Sequence, residues 1–92
     1  IFIPNTINPT SPVIQNRLFK PSFAFISHDD YFMKIFNRTG ELLFYTEDVN
    51  DAWDGYFKNK LLPQGTYIYE IQYKDANGKK LQEKGNINII YF

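Results

Sequence analysis

Ile35-Phe36-Asn37-Arg38-Thr39-Gly40-Glu41-Leu42-Leu43-Phe44 decides the fold. Two apolar segments flank a polar stretch that ends in glycine. Gly40 supplies the positive φ that a tight hairpin requires, so Arg38-Thr39-Gly40 reads as a three-to-four-residue turn between antiparallel strands. The strands extend outward over Tyr31 to Asn37 and Glu41 to Thr46.

The rest of the chain repeats this grammar. Pro63-Gln64-Gly65 reads as a turn, with proline fixing φ and glycine taking the left-handed position. Thr66 to Lys74 then alternates, with Tyr67, Tyr69, Ile71 and Tyr73 on one face. Asp75-Ala76-Asn77-Gly78 reads as a hairpin loop, and Lys79 to Tyr91 as the returning strand with a bulge or bend at Gly85. Upstream, Ile1 to Asn5 is a short strand stopped by Pro4. Residues 5–16 hold Pro9 and Pro12 and read as a loop or edge segment. Arg17 to Lys20 reads as a brief strand. Ser22 to Ser27 alternates through Phe23 and Phe25, and His28-Asp29-Asp30 reads as a turn. Glu47 to Pro63 is a long irregular excursion. No segment holds a helical period. About seven short strands with regular turns predict an all-β fold, an immunoglobulin-like antiparallel β-sandwich.

Composition fits one small domain over residues 1–92. Aromatic residues make up 18% of the chain, which suits the thin core of a sandwich. Ten Lys and Arg balance ten Asp and Glu, so no global field recruits nucleic acid or an anionic membrane. The absence of cysteine excludes a disulfide scaffold, a thiolate metal site and a cysteine nucleophile. The chain opens on Ile1 inside an apolar run, which reads as a fragment excised from a longer protein near a domain boundary.

The candidate sites each have two readings. Trp53, Tyr56 and Phe57 form either a sugar-stacking platform or, at Trp53, a pin that holds the long loop onto the sandwich. Asp48, Asp51 and Asp54 are a weak calcium candidate, because their spacing lacks the alternate-residue pattern of a calcium loop. His28 is the only histidine, and the serines lack a nucleophile-elbow context, so no catalytic set is expected. Asn37-Arg38-Thr39 matches a glycosylation sequon, with turn chemistry as the simpler reading. Arg38 either ties loops together or meets a partner carboxylate. The apolar last strand, with Ile87, Ile89 and Tyr91, pairs with a partner sheet if it lies at an edge.

The ordered set of motifs resembles the gliding-motility-associated C-terminal domain, the type B C-terminal domain of type IX secretion cargo. The matching runs are Phe2-Ile3-Pro4-Asn5, Ile35-Phe36-Asn37-Arg38-Thr39-Gly40, Leu43-Phe44, Trp53-Asp54-Gly55, Pro63-Gln64-Gly65-Thr66-Tyr67-Ile68-Tyr69, Asn77-Gly78 and Gly85. Thr39 stands where the family usually has tryptophan. Thr10 to Asn16 replace an acidic, glycine-rich run, so the resemblance is to a divergent member. It implies a single C-terminal secretion signal that takes a large surface protein, often an adhesin, across the outer membrane of a Gram-negative bacterium. The implied partners are the translocon and a dedicated outer-membrane protein, with no enzymatic activity, no cofactor, no nucleic acid and no small-molecule substrate. The chain's end at Phe92, directly after the last strand, fits a terminal signal. The alternative is a carbohydrate-binding or adhesive module using Trp53, Tyr56 and Phe57.

Overall fold

In the computed structural model, which describes residues 1–24 and 26–91 except the side chain of His28, the central hairpin forms where the sequence places it. Chain order is β1 (Thr6–Ile7), a 3-10 turn (Ile14–Arg17), β2 (Ile26–Phe36), β3 (Leu42–Thr46), β4 (Tyr56–Phe57), β5 (Lys60–Leu61), β6 (Gly65–Asp75) and β7 (Lys80–Ile89). The expectations at Phe25 and Phe92 lie outside the described residues.

Two hairpins share one design. Asn37 opens the first, and its Oδ1 accepts hydrogen bonds from the Thr39 N–H at 3.1 Å, the Thr39 hydroxyl at 2.8 Å and the Glu41 N–H at 2.9 Å. Asp75 opens the second, accepting from the N–H groups of Asn77 and Lys79 at 2.9 Å each. Gly40 and Gly78 take φ of 90° and 82° at the left-handed positions. A short side chain that caps its own turn, followed by glycine, is enough to fold the chain back on itself.

These hairpins build a five-stranded sheet in the order β1-β7-β6-β2-β3. Every pairing is antiparallel except β1 with β7, which run parallel at Thr6↔Asn88 and Ile7↔Ile89. Period-two alternation turns Tyr31, Met33 and Ile35 of β2, Tyr67, Ile71 and Tyr73 of β6, and Ile87 and Ile89 of β7 into one core. Phe19 and Trp53 close it from the other side. They form the second layer together with the β4–β5 ribbon and the Phe2↔Ser22 bridge. The shortest dimension of the molecule, 20 Å, is what two layers spaced about 10 Å apart require. The protein is therefore an all-β, immunoglobulin-like sandwich.

Three local expectations are corrected. His28-Asp29-Asp30 is not a turn between strands but part of β2. Pairing with β6 breaks between Ser27↔Lys74 and Phe32↔Gln72, leaving residues 28–31 as an extra loop of strand opposite Tyr73. Lys74 holds that bulge through a 2.8 Å ion pair to Asp30, and Gln72 donates to the Asp30 carbonyl at 3.0 Å. Each partner favours the other's charged form, so Asp30 lies below and Lys74 above its usual pKa. Gly85 is not a bulge, because β6–β7 register runs unbroken from Gly65↔Ile89 to Lys74↔Lys80. It is instead the position where the Tyr69 ring crosses: a Cβ there would stand 2.6 Å from the Tyr69 hydroxyl oxygen. The 47–63 excursion is not wholly irregular, since β4 and β5 pair within it.

Tyr31 is the one orphan among the described core residues. Its hydroxyl is buried and has no hydrogen-bond partner among the described residues. Burial, reinforced by Asp48 and Asp51, pushes its pKa up from 10.0 to about 12. Between those values the unfolded chain has lost the proton and the folded chain keeps it, so stability falls as pH rises through this window. Burial also pushes up Tyr67, Tyr69, Tyr73 and Tyr91, adding to the same alkaline loss. Tyr31→Phe is expected to leave stability at neutral pH unchanged or raise it by up to about 1 kcal/mol, since it removes an unpaired buried hydroxyl. It should also flatten the alkaline decline. Urea melts of both proteins at neutral and alkaline pH check this. A neutral-pH loss would mean that the hydroxyl is satisfied in the folded state.

Candidate functional site

Trp53 has no exposed surface. Its backbone exchanges hydrogen bonds with Phe19 at 2.8 and 3.0 Å, its indole N–H donates to the Tyr56 carbonyl at 3.3 Å, and its ring meets Tyr67 edge-on at 5.8 Å. Asp54 caps the next turn, accepting from the Tyr56 N–H at 3.0 Å, and Gly55 packs against Pro9. This corrects the sugar-platform alternative: a ring sealed on both faces has nothing to offer a glycan. Phe57 is half-buried under the Lys58 ammonium, and Tyr56 alone of the three is exposed.

The calcium candidate is corrected as well. Asp48, Asp51 and Asp54 each serve their own turn. Asp48 accepts from the Asn50 N–H at 2.9 Å, and Asp51 accepts from the Thr46 hydroxyl at 2.9 Å and the Ala52 N–H at 3.1 Å. Among the described residues no three acidic, histidine or cysteine groups gather as a metal cluster.

The last strand was the candidate docking edge. Its C-terminal part is closed. β1 pairs along it, with the Asn88 N–H donating to the Asn5 carbonyl at 2.9 Å and the Ile90 N–H to the Ile7 carbonyl at 3.0 Å. Ile87 and Ile89 point into the core with no exposed surface. Tyr91 is tied down, its hydroxyl donating to the Leu62 carbonyl and its N–H to the Gln64 side chain at 3.2 Å. The premise of an open edge at Ile87, Ile89 and Tyr91 is thus corrected. Apolar alternation there marks the core face, and the chain's own N-terminal strand takes the edge.

The remaining motif residues are joints. The Tyr67 hydroxyl donates to the Pro63 carbonyl at 2.7 Å, locking the turn to the strand it starts. Tyr69 lies between Gly85 and Phe19, 5.5 Å from the latter's ring centroid. Gly65 pairs with Ile89, while Pro4 and Asn5 lead into β1. The sequon asparagine is consumed by its own turn, with Nδ2 donating to Glu41 at 2.9 Å.

Arg38 differs from all of these. It stands exposed at the tip of the β2–β3 turn and makes no hydrogen bond or ion pair among the described residues. It flanks a shallow depression of about 350 Å³ between its own turn and Gln64–Tyr67. Nothing in this arrangement pairs a nucleophile with a base. It presents an exposed guanidinium beside a shallow depression.

The model of the CHU_C type IX secretion signal domain matches residues 1–89. The chain belongs to that family. A type IX secretion signal domain is a secretion signal rather than an enzyme. It works with the type IX machinery and directs export to the cell surface or the medium. No curated protein and no solved structure matches the chain.

Proposed function

We propose that this signal domain takes an adhesin-type cargo across the outer membrane by docking, fully folded, onto outer-membrane translocon components and a dedicated partner there. The observation that carries the reading is the family match across residues 1–89. A rigid sandwich suits such a role, because recognition by a folded module needs little ordering on binding. Arg38 is the residue proposed to meet the partner, since an exposed guanidinium with no partner among the described residues can grip a carboxylate in bidentate fashion.

Residues 1–92 fused behind a periplasm-targeted fluorescent protein test the proposal in a strain with an intact type IX system. Surface or medium fluorescence is expected, and deletion of the cognate outer-membrane partner should return it to the periplasm. Arg38→Glu should reduce export without shifting the melting midpoint. Periplasmic retention of the folded wild-type fusion, with the neighbouring outer-membrane gene supplied, would overturn it.

A further inference from the structure

The sheet ends in two edges, and they are built differently. Along the β7 edge, β1 covers Asn88 and Ile89, and the rest presents exposed Lys80, Gln82, Lys84 and Asn86. A covering strand and lysines are how sheets ordinarily prevent further pairing. The β3 edge has neither. Leu42-Leu43-Phe44-Tyr45-Thr46 contains no lysine and no proline, and among the described residues no strand pairs with its outer side. Leu42 is 45% and Tyr45 47% exposed. The apolar surface continues across the outward sheet face, where Leu42, Phe36 and Ile68 form one cross-strand row. Leu43 is the extra residue of a bulge, and Phe44 to Thr46 beyond it stay in regular register with β2.

Charge narrows the occupant. Exposed Glu41 stands at one end of β3, and exposed Glu47 and Asp48 at the other. None of them forms an ion pair among the described residues. Lys34, the base opposite Tyr45, is drawn instead over the Phe32 ring at 4.9 Å. Arg38 lies beyond Glu41, in the turn. A second copy of the chain is a poor fit. Two-fold pairing that uses all of Leu42 to Thr46 sets Glu41 against Glu47 of the other copy at both ends, and like charges directly opposed destabilise a sheet. A strand with bases at its ends meets no such conflict.

We propose that the β3 edge is a strand-addition site for an extended segment of a partner protein, apolar in the middle and carrying a basic residue at each end. Backbone pairing supplies the affinity, alternate side chains lie over Leu42 and Tyr45, and the flanking bases meet Glu41 and Glu47–Asp48. The site deepens the docking role proposed above, and pairing and export are measured separately so that either can fail alone.

The pairing probe is the capped peptide Lys-Val-Thr-Val-Thr-Val-Lys, titrated to millimolar concentration against the isotope-labelled chain by NMR. Amide shifts and slowed exchange confined to residues 42–46 are expected. The same peptide with glutamate in place of both lysines should bind about tenfold or more weakly, the size of a like-charge penalty. Glu47→Lys should narrow that difference. Shifts at residues 80–86 instead, no shift with either peptide, equal binding of both, or self-association through β3 would overturn the proposal. In the export assay Tyr45→Lys should cut surface signal by about tenfold or more, since a lysine blunts an edge. If that variant fails to fold, exposed Glu47→Lys serves in its place. Export of a folded edge variant at the wild-type level overturns the strand-addition site and leaves the secretion reading intact. Peptide pairing at β3 without export of the wild-type fusion leaves the site intact and refutes the docking role.

Discussion

Trp53→Ala is expected to cost about 3–5 kcal/mol, the range for removing a large aromatic from a closed core. Trp53 is the largest fully buried side chain, and it holds the second layer against the sheet through Phe19 on one strand-like segment and Tyr67 on β6. Truncation removes the ring that fills the gap between layers, and it orphans the Tyr56 carbonyl that the indole N–H had satisfied. Small domains hold about 5–15 kcal/mol in all, so the variant should be near its unfolding threshold. At about 4–8 °C per kcal/mol for a chain of this length, the melting midpoint falls by about 12–40 °C. Calorimetry or far-ultraviolet circular dichroism checks this. The substitution removes the only tryptophan, so fluorescence cannot. A small shift with intact cooperativity would mean that the layers are held elsewhere. Export lost in this variant reports unfolding and says nothing about recognition.

The same residue shows what a sequence can convey about this kind of protein. A lone tryptophan before Asp-Gly is readable as a loop pin, because the turn signal fixes the backbone and burial is the cheapest place for an indole. The hairpins at Asn37 and Asp75 are readable because each carries its cap and its glycine within five residues. The core face of β6 is readable because Tyr67, Tyr69, Ile71 and Tyr73 keep strict period two. Long-range and compensated features are hidden. The parallel β1–β7 contact joins Thr6 to Asn88, and no local pattern announces it. The β4–β5 ribbon turns through Lys58 and Asn59 at φ of 51° and 64°, so the usual glycine is missing from its sequence. The polar run at 28–30 resembles a turn because its stabilisers, Lys74 and Gln72, lie on another strand.

Which surface does the work was the least legible part, for a related reason. Strong apolar alternation at Ile87 and Ile89 is evidence of a buried face, whatever lies along the backbone edge. An edge is defined by which neighbour is absent, and that is a property of topology alone. Only the strand order separates the capped β7 side from the uncapped β3 side.

Gly55→Ala is the second large effect expected, and it carries two separable costs. Gly55 has φ of 80°, where an L side chain costs about 1–2 kcal/mol. A Cβ there would also lie 2.6 Å from Cγ and 3.4 Å from Cβ of Pro9, and 3.5 Å from Cδ1 of Ile7. The proline ring is rigid and buried, so it cannot swing aside as a long side chain would. Relief must come from moving β1, whose Ile7 carbonyl accepts from the Ile90 N–H and whose side chain is in the core. Overpacking of this kind costs about 1–3 kcal/mol, for a total of about 2–5 kcal/mol. Gly40→Ala isolates the first cost, since Gly40 has φ of 90° and nothing within 4 Å of its missing Cβ. Denaturant melts of both variants should therefore place Gly55→Ala below Gly40→Ala by the steric part alone. Hydrogen exchange should show the extra loss first at the amides of Asn88 and Ile90, which β1 protects. Equal costs for the two variants would mean that β1 yields freely, and that the Trp53-Asp54-Gly55 motif is held in shape by its turn and not by its contact with Pro9.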